Sequence, residues 1–328
     1  MSADAHQAAR ANAGPETMGV SVVIATYNGA ARVPKVLAAL AAQTAPDGFF
    51  EVIVVDNNSV DGTAAIVAAD PSAAALRARG IALRVVPEPR QGLTHARIRG
   101  VCEAHRRLIC FLDDDNLPEQ DFVEAGVETF ADPAISLAVS HVRPSWASEP
   151  PPGVRHRRSL LAVNDYLGEE RKRFDANALI APTIGAGLWL RRAAFLNSIP
   201  WESPERLLPD RTEGMLVSGG DIEIGVLVGR AGYGRVYEPR LRVVHEIPAA
   251  RLETRYMRRL IEGIVRSELT LKEKYLGERA GIRIRMMALA QLAAAPLVAL
   301  WRGDARREMA FIAAAAIARL KGPFRSPR

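Results

Sequence analysis

From Val20 onward, apolar runs four to six residues long alternate with polar clusters and helical spacing. Val20-Ser21-Val22-Val23-Ile24-Ala25 stops at Thr26-Tyr27-Asn28-Gly29, the pattern of a strand followed by a turn. Helical spacing follows from about Ala31 to Gln43, where Pro34 is tolerated because it falls in the first turn. Val52-Ile53-Val54-Val55 predicts a second strand, stopped by Asp56-Asn57-Asn58-Ser59, and Asp61-Gly62-Thr63 opens another helix. Ile81 to Val86 predicts a third strand, and Gln91 to His105 an Arg-rich helix. Leu108 to Leu112 predicts a fourth strand, which runs directly into Asp113-Asp114-Asp115-Asn116. Unbroken Val/Ile runs separated by helices predict an α/β protein with a parallel sheet covered on both faces.

In such sheets ligands bind beyond the carboxyl ends of the strands. Three polar clusters fall on that rim: Thr26-Tyr27-Asn28, Asp56-Asn57-Asn58 and Asp113-Asp114-Asp115. Adjacent carboxylates repel one another, so a triplet at the tip of a buried strand points to a hard divalent cation. Mg²⁺ or Mn²⁺ takes oxygen ligands and bridges to phosphate oxygens. The glycine fingerprint of dinucleotide-binding folds does not follow the first strand, which argues against a dehydrogenase.

These segments, together with Ala96-Arg97-Ile98-Arg99-Gly100 and Phe111 to Pro118, resemble the ordered motifs of family 2 glycosyltransferases over roughly Val20 to Arg251. The resemblance implies a GT-A type fold: a mostly parallel central sheet with helices on both faces, here with a C-terminal helical appendage. It also implies inversion at the anomeric carbon of a nucleotide diphosphate sugar, UDP-linked, with transfer to a hydroxyl of a saccharide or lipid-linked acceptor. Residues 19–250 would form the catalytic domain, 19–142 the nucleotide-sugar half and 143–250 the acceptor half. Ala25, Thr26 and Tyr27 would line the base and ribose pocket, Tyr27 offering a stacking face. Asp56 would accept from a pyrimidine ring N–H, or else cap the turn that follows it. Arg97 would face the base or diphosphate, whereas Arg99, two helical positions on, points elsewhere. Asp115 would hold Mn²⁺ or Mg²⁺, with Asp114 near the ribose and Asp113 assisting from the strand end. Which of Asp113 and Asp114 supports Asp115 stays open.

In the second half, Gly185 to Arg192 reads as a strand whose small residues let the backbone approach the donor sugar. Gly219-Gly220-Asp221-Ile222-Glu223 opens a helix to about Ala231. The resemblance makes Asp221 the base that takes the proton of the acceptor hydroxyl. Glu223, at i+2, turns away from it. Gly220 stands where the family usually has glutamate. His245, at the end of the run Val243-Val244-His245, would join the metal and diphosphate as a neutral imidazole.

Composition and charge narrow the remainder. With 48% hydrophobic and 24% charged residues the 328-residue chain is that of a folded protein, large enough for one α/β domain and an appendage or for two domains. The net charge of +6 is uneven: from Arg251 onward 17 Lys/Arg face 7 Asp/Glu, leaving the first 250 residues slightly acidic. That argues against nucleic acid as partner and suits a basic tail on an anionic surface. Met286 to Trp301 and Met309 to Leu320 are apolar but short of the roughly 20 residues of a span. Flanked by Arg283, Arg285, Arg302, Arg306 and Arg307, they suit helices lying in a membrane interface, a hairpin packed on the catalytic domain, or a dimer contact. Arg155-His156-Arg157-Arg158, within a long excursion from Arg143 to Arg173, is either solvated surface or a hold for an anionic acceptor. Two cysteines, Cys102 and Cys110, imply core packing in a reducing compartment. Residues 1–18 read as a disordered leader without a signal peptide, which places the protein in the cytoplasm, with peripheral contact at the inner face of the membrane. A nucleotidyltransferase on a related sheet, or a non-catalytic nucleotide-sugar-binding protein, are the alternatives.

Overall fold

The computed structural model describes residues 17–175, 183–208, 210, 216–279, 281–301 and 304–324. Most of the leader expected at the N-terminus, and Arg302, lie outside these residues. Four strands form a parallel array in the order β3-β2-β1-β4: β1 (Thr17–Thr26), β2 (Phe50–Asp56), β3 (Ala82–Pro87) and β4 (Arg106–Asp113). The sheet then continues as a mixed one through β8 (Leu188–Arg191), β6 (Leu137–Trp146), β9 (Arg235–Ile247) and β5 (Asn116–Pro118), with β7 (Lys172–Phe174) on β9. β8 runs antiparallel to β4, and β5 antiparallel to β9. The expected α/β class is present, with antiparallel strands added beyond β4.

The described residues group into two compact units. The first runs to Pro144 and includes Ala162–Leu207 and Asp221–Glu246; the second comprises Ser145–Leu161, Leu208–Gly220 and the chain from Ile247 onward. In the first unit Val22, Ile24, Ile53, Val55 and Phe111 are shielded from solvent on the strands, as their unbroken apolar runs require. Trp189 of β8 is fully buried, its ring 5.4 Å from that of Phe122 and 6.3 Å from that of Phe130. A side chain at Gly126 would fall within 2.2 Å of the indole, so that helix position has to be glycine. Both thiols are free; Cys110 is buried, and burial pushes the Cys102 thiol up to about 11.

The runs on either side of Pro239 form one strand, β9, which meets β7 at Tyr237 and β5 at Val243, to each side of the proline. Pro296 does not break the apolar segment, which forms a single helix, Ile282–Trp301.

The second unit is built on three helices, Thr254–Leu276, Ile282–Trp301 and Ala305–Lys321. Gly263 is required in the first, because a Cβ there would lie 1.9 Å from the Leu216 carbonyl oxygen. Glu308, on the third, is buried and receives the guanidinium of Arg157 through two bonds of 2.6 and 2.7 Å. Arg157 thus neutralises a buried carboxylate and is not simply solvated surface. Among the described residues no helix is long and apolar enough to cross a membrane.

Candidate functional site

Register brings the rim together. Thr26 at the end of β1 pairs with Asp56 at the end of β2, and Ala25 pairs with Asp113 at the end of β4. The loops after β1 and β2 are stitched to each other: the Asn28 amide donates to Ser59 Oγ at 2.9 Å, and the Val60 amide to Asn28 Oδ1 at 2.9 Å. Asn28 and Asn58 hold positive φ angles of 49° and 67°, a conformation asparagine tolerates better than most residues. Tyr27 stands beside them with 42% of its surface exposed, its ring presented at the rim. One oxygen of Asp56 accepts from the Ser59 amide at 3.1 Å, so the capping role expected of it is present.

The three carboxylates of the triplet diverge. Asp114 turns back to β1: Thr26 Oγ1 donates to its Oδ2 at 2.6 Å, and Arg32 forks onto both oxygens at 2.9 and 2.8 Å. Asp114 in turn raises the Arg32 pKa. Gly29 lies beneath this cluster, since a Cβ there would meet Thr26 Oγ1 at 1.9 Å and Asp114 Oδ2 at 2.9 Å.

Asp113 faces Arg97 instead, with Oδ1 3.7 Å from the guanidinium. Burial pushes the Asp113 carboxyl above its ordinary range, and the charge of Arg97 opposes that rise. Arg97 is almost fully buried, with its guanidinium 5.5 Å from the centre of the Phe111 ring. Arg99 pairs with Glu103 on the same helix at 2.9 Å, so the two arginines diverge as helical geometry demands.

Gly185 joins this group to Asp221. Its amide donates to Asp221 Oδ2 at 2.7 Å, while Ile222 N–H donates to Oδ1 at 2.9 Å. Two amide donors hold the carboxylate in one orientation, and each oxygen keeps a second lone pair. A Cβ at Gly185 would lie 2.1 Å from Arg97 Nη2 and 3.5 Å from Asp221 Oδ2, so the glycine is the space in which Arg97 and Asp221 approach. Gly185→Ala is expected to push the guanidinium aside and lower unfolding stability by about 1–3 kcal/mol. In a double-mutant cycle Arg97→Ala should relieve most of that cost, and strictly additive losses would show that the clash is not the cause. Gly220 has its own neighbour: its amide donates to Asp210 Oδ2 at 3.3 Å, and a Cβ would lie 2.8 Å from that oxygen.

A family model for glycosyl transferase family 2 matches residues 21–197, more than half of the chain and the stretch that carries β1 to β8. The chain belongs to glycosyl transferase family 2. Glycosyltransferase AglE of Haloferax volcanii is 28% identical over 218 residues, which cover 66% of this family 2 chain and 64% of the relative. Among solved structures, the mannosyltransferase PcManGT from Pyrobaculum calidifontis, in complex with GDP-Man and Mn²⁺, is 19% identical. That match covers 97% of this chain and 81% of PcManGT at a TM-score of 0.55. TarS 1–349 of S. aureus, in complex with UDP-GlcNAc, is 14% identical; the match covers 94% of this chain and 93% of TarS 1–349 at a TM-score of 0.52. These structures share the GT-A fold with it.

In this family 2 chain the third carboxylate, Asp115, meets His245 through pairing of β5 with β9, where Asn116 lies opposite His245. Asp115 Oδ2 is 3.5 Å from His245 Nε2, and their side chains are 7% and 5% exposed. Asn116 Nδ2 donates to the other oxygen of Asp115 at 3.2 Å, and Glu246 N–H to the Asp115 carbonyl at 2.9 Å, so both neighbours fix the pair. One carboxylate and one imidazole, spaced beyond a strong hydrogen bond, fit a divalent cation whose other ligands are phosphate oxygens and water. Among the described residues no three His, Cys, Asp or Glu side chains converge as a ligand set, and Asp113 does not complete one with this pair.

Sequence reasoning passed over Arg32 and Gly29. The signal for Arg32 was an arginine at the start of the first helix, placed to neutralise part of an acidic triplet. Nothing local pointed to the pairing of Lys35 with Glu246 at 2.8 Å, since the two lie far apart along the chain.

Proposed function

We propose that this chain transfers a sugar from a nucleotide diphosphate sugar, UDP-linked, to a hydroxyl of a saccharide or lipid-linked acceptor, with inversion. The observation that carries the reading is the meeting of Arg97 and Asp221 at Gly185, with Asp113 facing the same guanidinium from the rim where Thr26 and Asp56 end adjacent strands. Nucleotide sugars in the PcManGT and TarS structures support the donor class.

On this reading Ala25, Thr26 and Tyr27 line the base and ribose, Tyr27 by stacking on the base. Asp56 accepts from the pyrimidine N–H with the carboxylate oxygen not used by Ser59. Arg97 faces the diphosphate, and Asp113 holds the guanidinium in place. Asp114 acts near the ribose by fixing Thr26. Asp115 and His245 would hold Mn²⁺ or Mg²⁺, a choice supported by the Mn²⁺ of PcManGT. When bound, that cation offsets the negative charge gathering on the departing diphosphate. Asp221 takes the proton from the acceptor hydroxyl as its oxygen bonds to the anomeric carbon. The bond from that carbon to the diphosphate oxygen breaks on the opposite face, and the leaving group keeps the electron pair. One displacement inverts the configuration.

The basic C-terminal region supports a place in the cytoplasm against the inner face of the membrane. Helix Ile282–Trp301 leaves Ile282, Met286, Met287 and Leu289 exposed beside Arg283 and Arg285.

A panel of nucleotide sugars incubated with the protein and Mn²⁺ tests the reading through release of nucleoside diphosphate. One donor should be turned over far above the protein-free rate, and EDTA should suppress it. Release of pyrophosphate from a nucleoside triphosphate and a sugar phosphate, with every nucleotide sugar left intact, would establish the nucleotidyltransferase alternative instead.

A further inference from the structure

The three-helix unit contains two cavities of opposite character that share Arg319 in their walls. One, of about 450 Å³, is walled by Leu160, Ile261, Ile264, Val265, Phe311 and Ile312. The other, of about 400 Å³, is lined by five cations, Lys274, Arg279, Arg285, Arg319 and Lys321, with Glu273 its one carboxylate. Arg319 and the helix that carries it border both cavities. Its Nη1 donates to the neutral amide oxygen of Gln291 at 2.8 Å, whereas Arg157, at the apolar cavity, is held by the Glu308 carboxylate. Lys321 is paired at 2.6 Å with Glu262, which does not line the cationic chamber.

We propose that this unit binds a lipid phosphate, with the hydrocarbon chain in the apolar cavity and the phosphate in the cationic one. The two volumes fall in the range of small-molecule sites. A water-soluble phosphate would have no use for the apolar chamber, and an apolar peptide segment would bring no anion to the cations of the other. An amphiphile with an anionic head satisfies both, and Arg319 stands where its head and chain join. Guanidinium groups suit phosphate because their planar fork of donors matches its oxygens. Ile282 and Met286, exposed on the helix that carries Arg285, give a lipid an apolar approach from a bilayer. The test of this site reads binding alone.

Calorimetry on the full chain with decyl phosphate, decanol and inorganic phosphate separates the contributions of head and chain. Decyl phosphate should bind at least roughly tenfold tighter than either of the others. Arg319→Gln should bring it down toward decanol. Ala315→Leu, which fills the apolar cavity from its wall, should bring it down toward inorganic phosphate. Helix content by circular dichroism and a thermal midpoint both matching wild type show that the variants are folded. Decyl phosphate bound no tighter than inorganic phosphate, or bound equally by wild type and both variants, overturns the proposal. Vesicles of phosphatidylglycerol expose the remaining case: equal adsorption of wild type and Ala315→Leu without decyl phosphate binding reduces the unit to a charged surface and overturns it too.

Discussion

Asp115→Ala is expected to abolish sugar transfer and to remove the Mn²⁺-dependent part of nucleoside diphosphate binding. The carboxylate lies 3.5 Å from His245 Nε2, and both side chains are nearly buried. A cation at such a site contributes several kcal/mol of charge stabilisation on a departing phosphate, a loss of roughly 10³-fold or more in rate. His245→Ala should be milder, because water can take the place of a neutral ligand. Asp114→Ala gives the contrast. It strands the Arg32 guanidinium and frees Thr26, so its effect should appear first as lost stability. Titration of UDP with and without Mn²⁺ checks all three variants. Transfer by EDTA-treated protein at the untreated rate would sink the metal role.

That contrast marks where reasoning from the chain alone reached its limit. Strands β1 to β4 were legible because buried parallel strands must be apolar on both faces, and their polar ends announced the rim. Helical geometry separated Arg97 from Arg99, and the structure sends them to Asp113 and Glu103. Repulsion within Asp113-Asp114-Asp115 points to a divalent cation at the strand end, held by Asp115 with Asp113 assisting. In the structure the carboxylates diverge, and Arg97 and Arg32 answer Asp113 and Asp114. A local argument from like charges overlooks cations that the fold delivers from elsewhere in the chain. The meeting of Asp115 with His245 depends on β5 pairing with β9 across more than a hundred residues, a register that no local pattern encodes. The appendage is basic and apolar by sequence, but its division into an apolar and a cationic chamber needs the packing of its helices.

Asp221→Asn should lower turnover by roughly 10²–10⁴ while donor binding changes little, the usual share of a general base. The amide keeps the size of the carboxylate, and its oxygen can still accept from the Gly185 or Ile222 amide. It cannot take a proton from a hydroxyl at neutral pH. Loss of turnover with donor affinity retained therefore separates proton transfer from positioning. Gly185→Ala provides the positioning control, since it disturbs Arg97 and leaves the Asp221 carboxylate in place. Product from the wild type should carry the anomeric configuration opposite to the donor, as a single displacement requires. Glu223 starts the same helix but is buried, 1% exposed, so Glu223→Gln should act on stability before rate. Retention of configuration by NMR, or near-normal turnover in Asp221→Asn with loss in Glu223→Gln, would move the base away from Asp221.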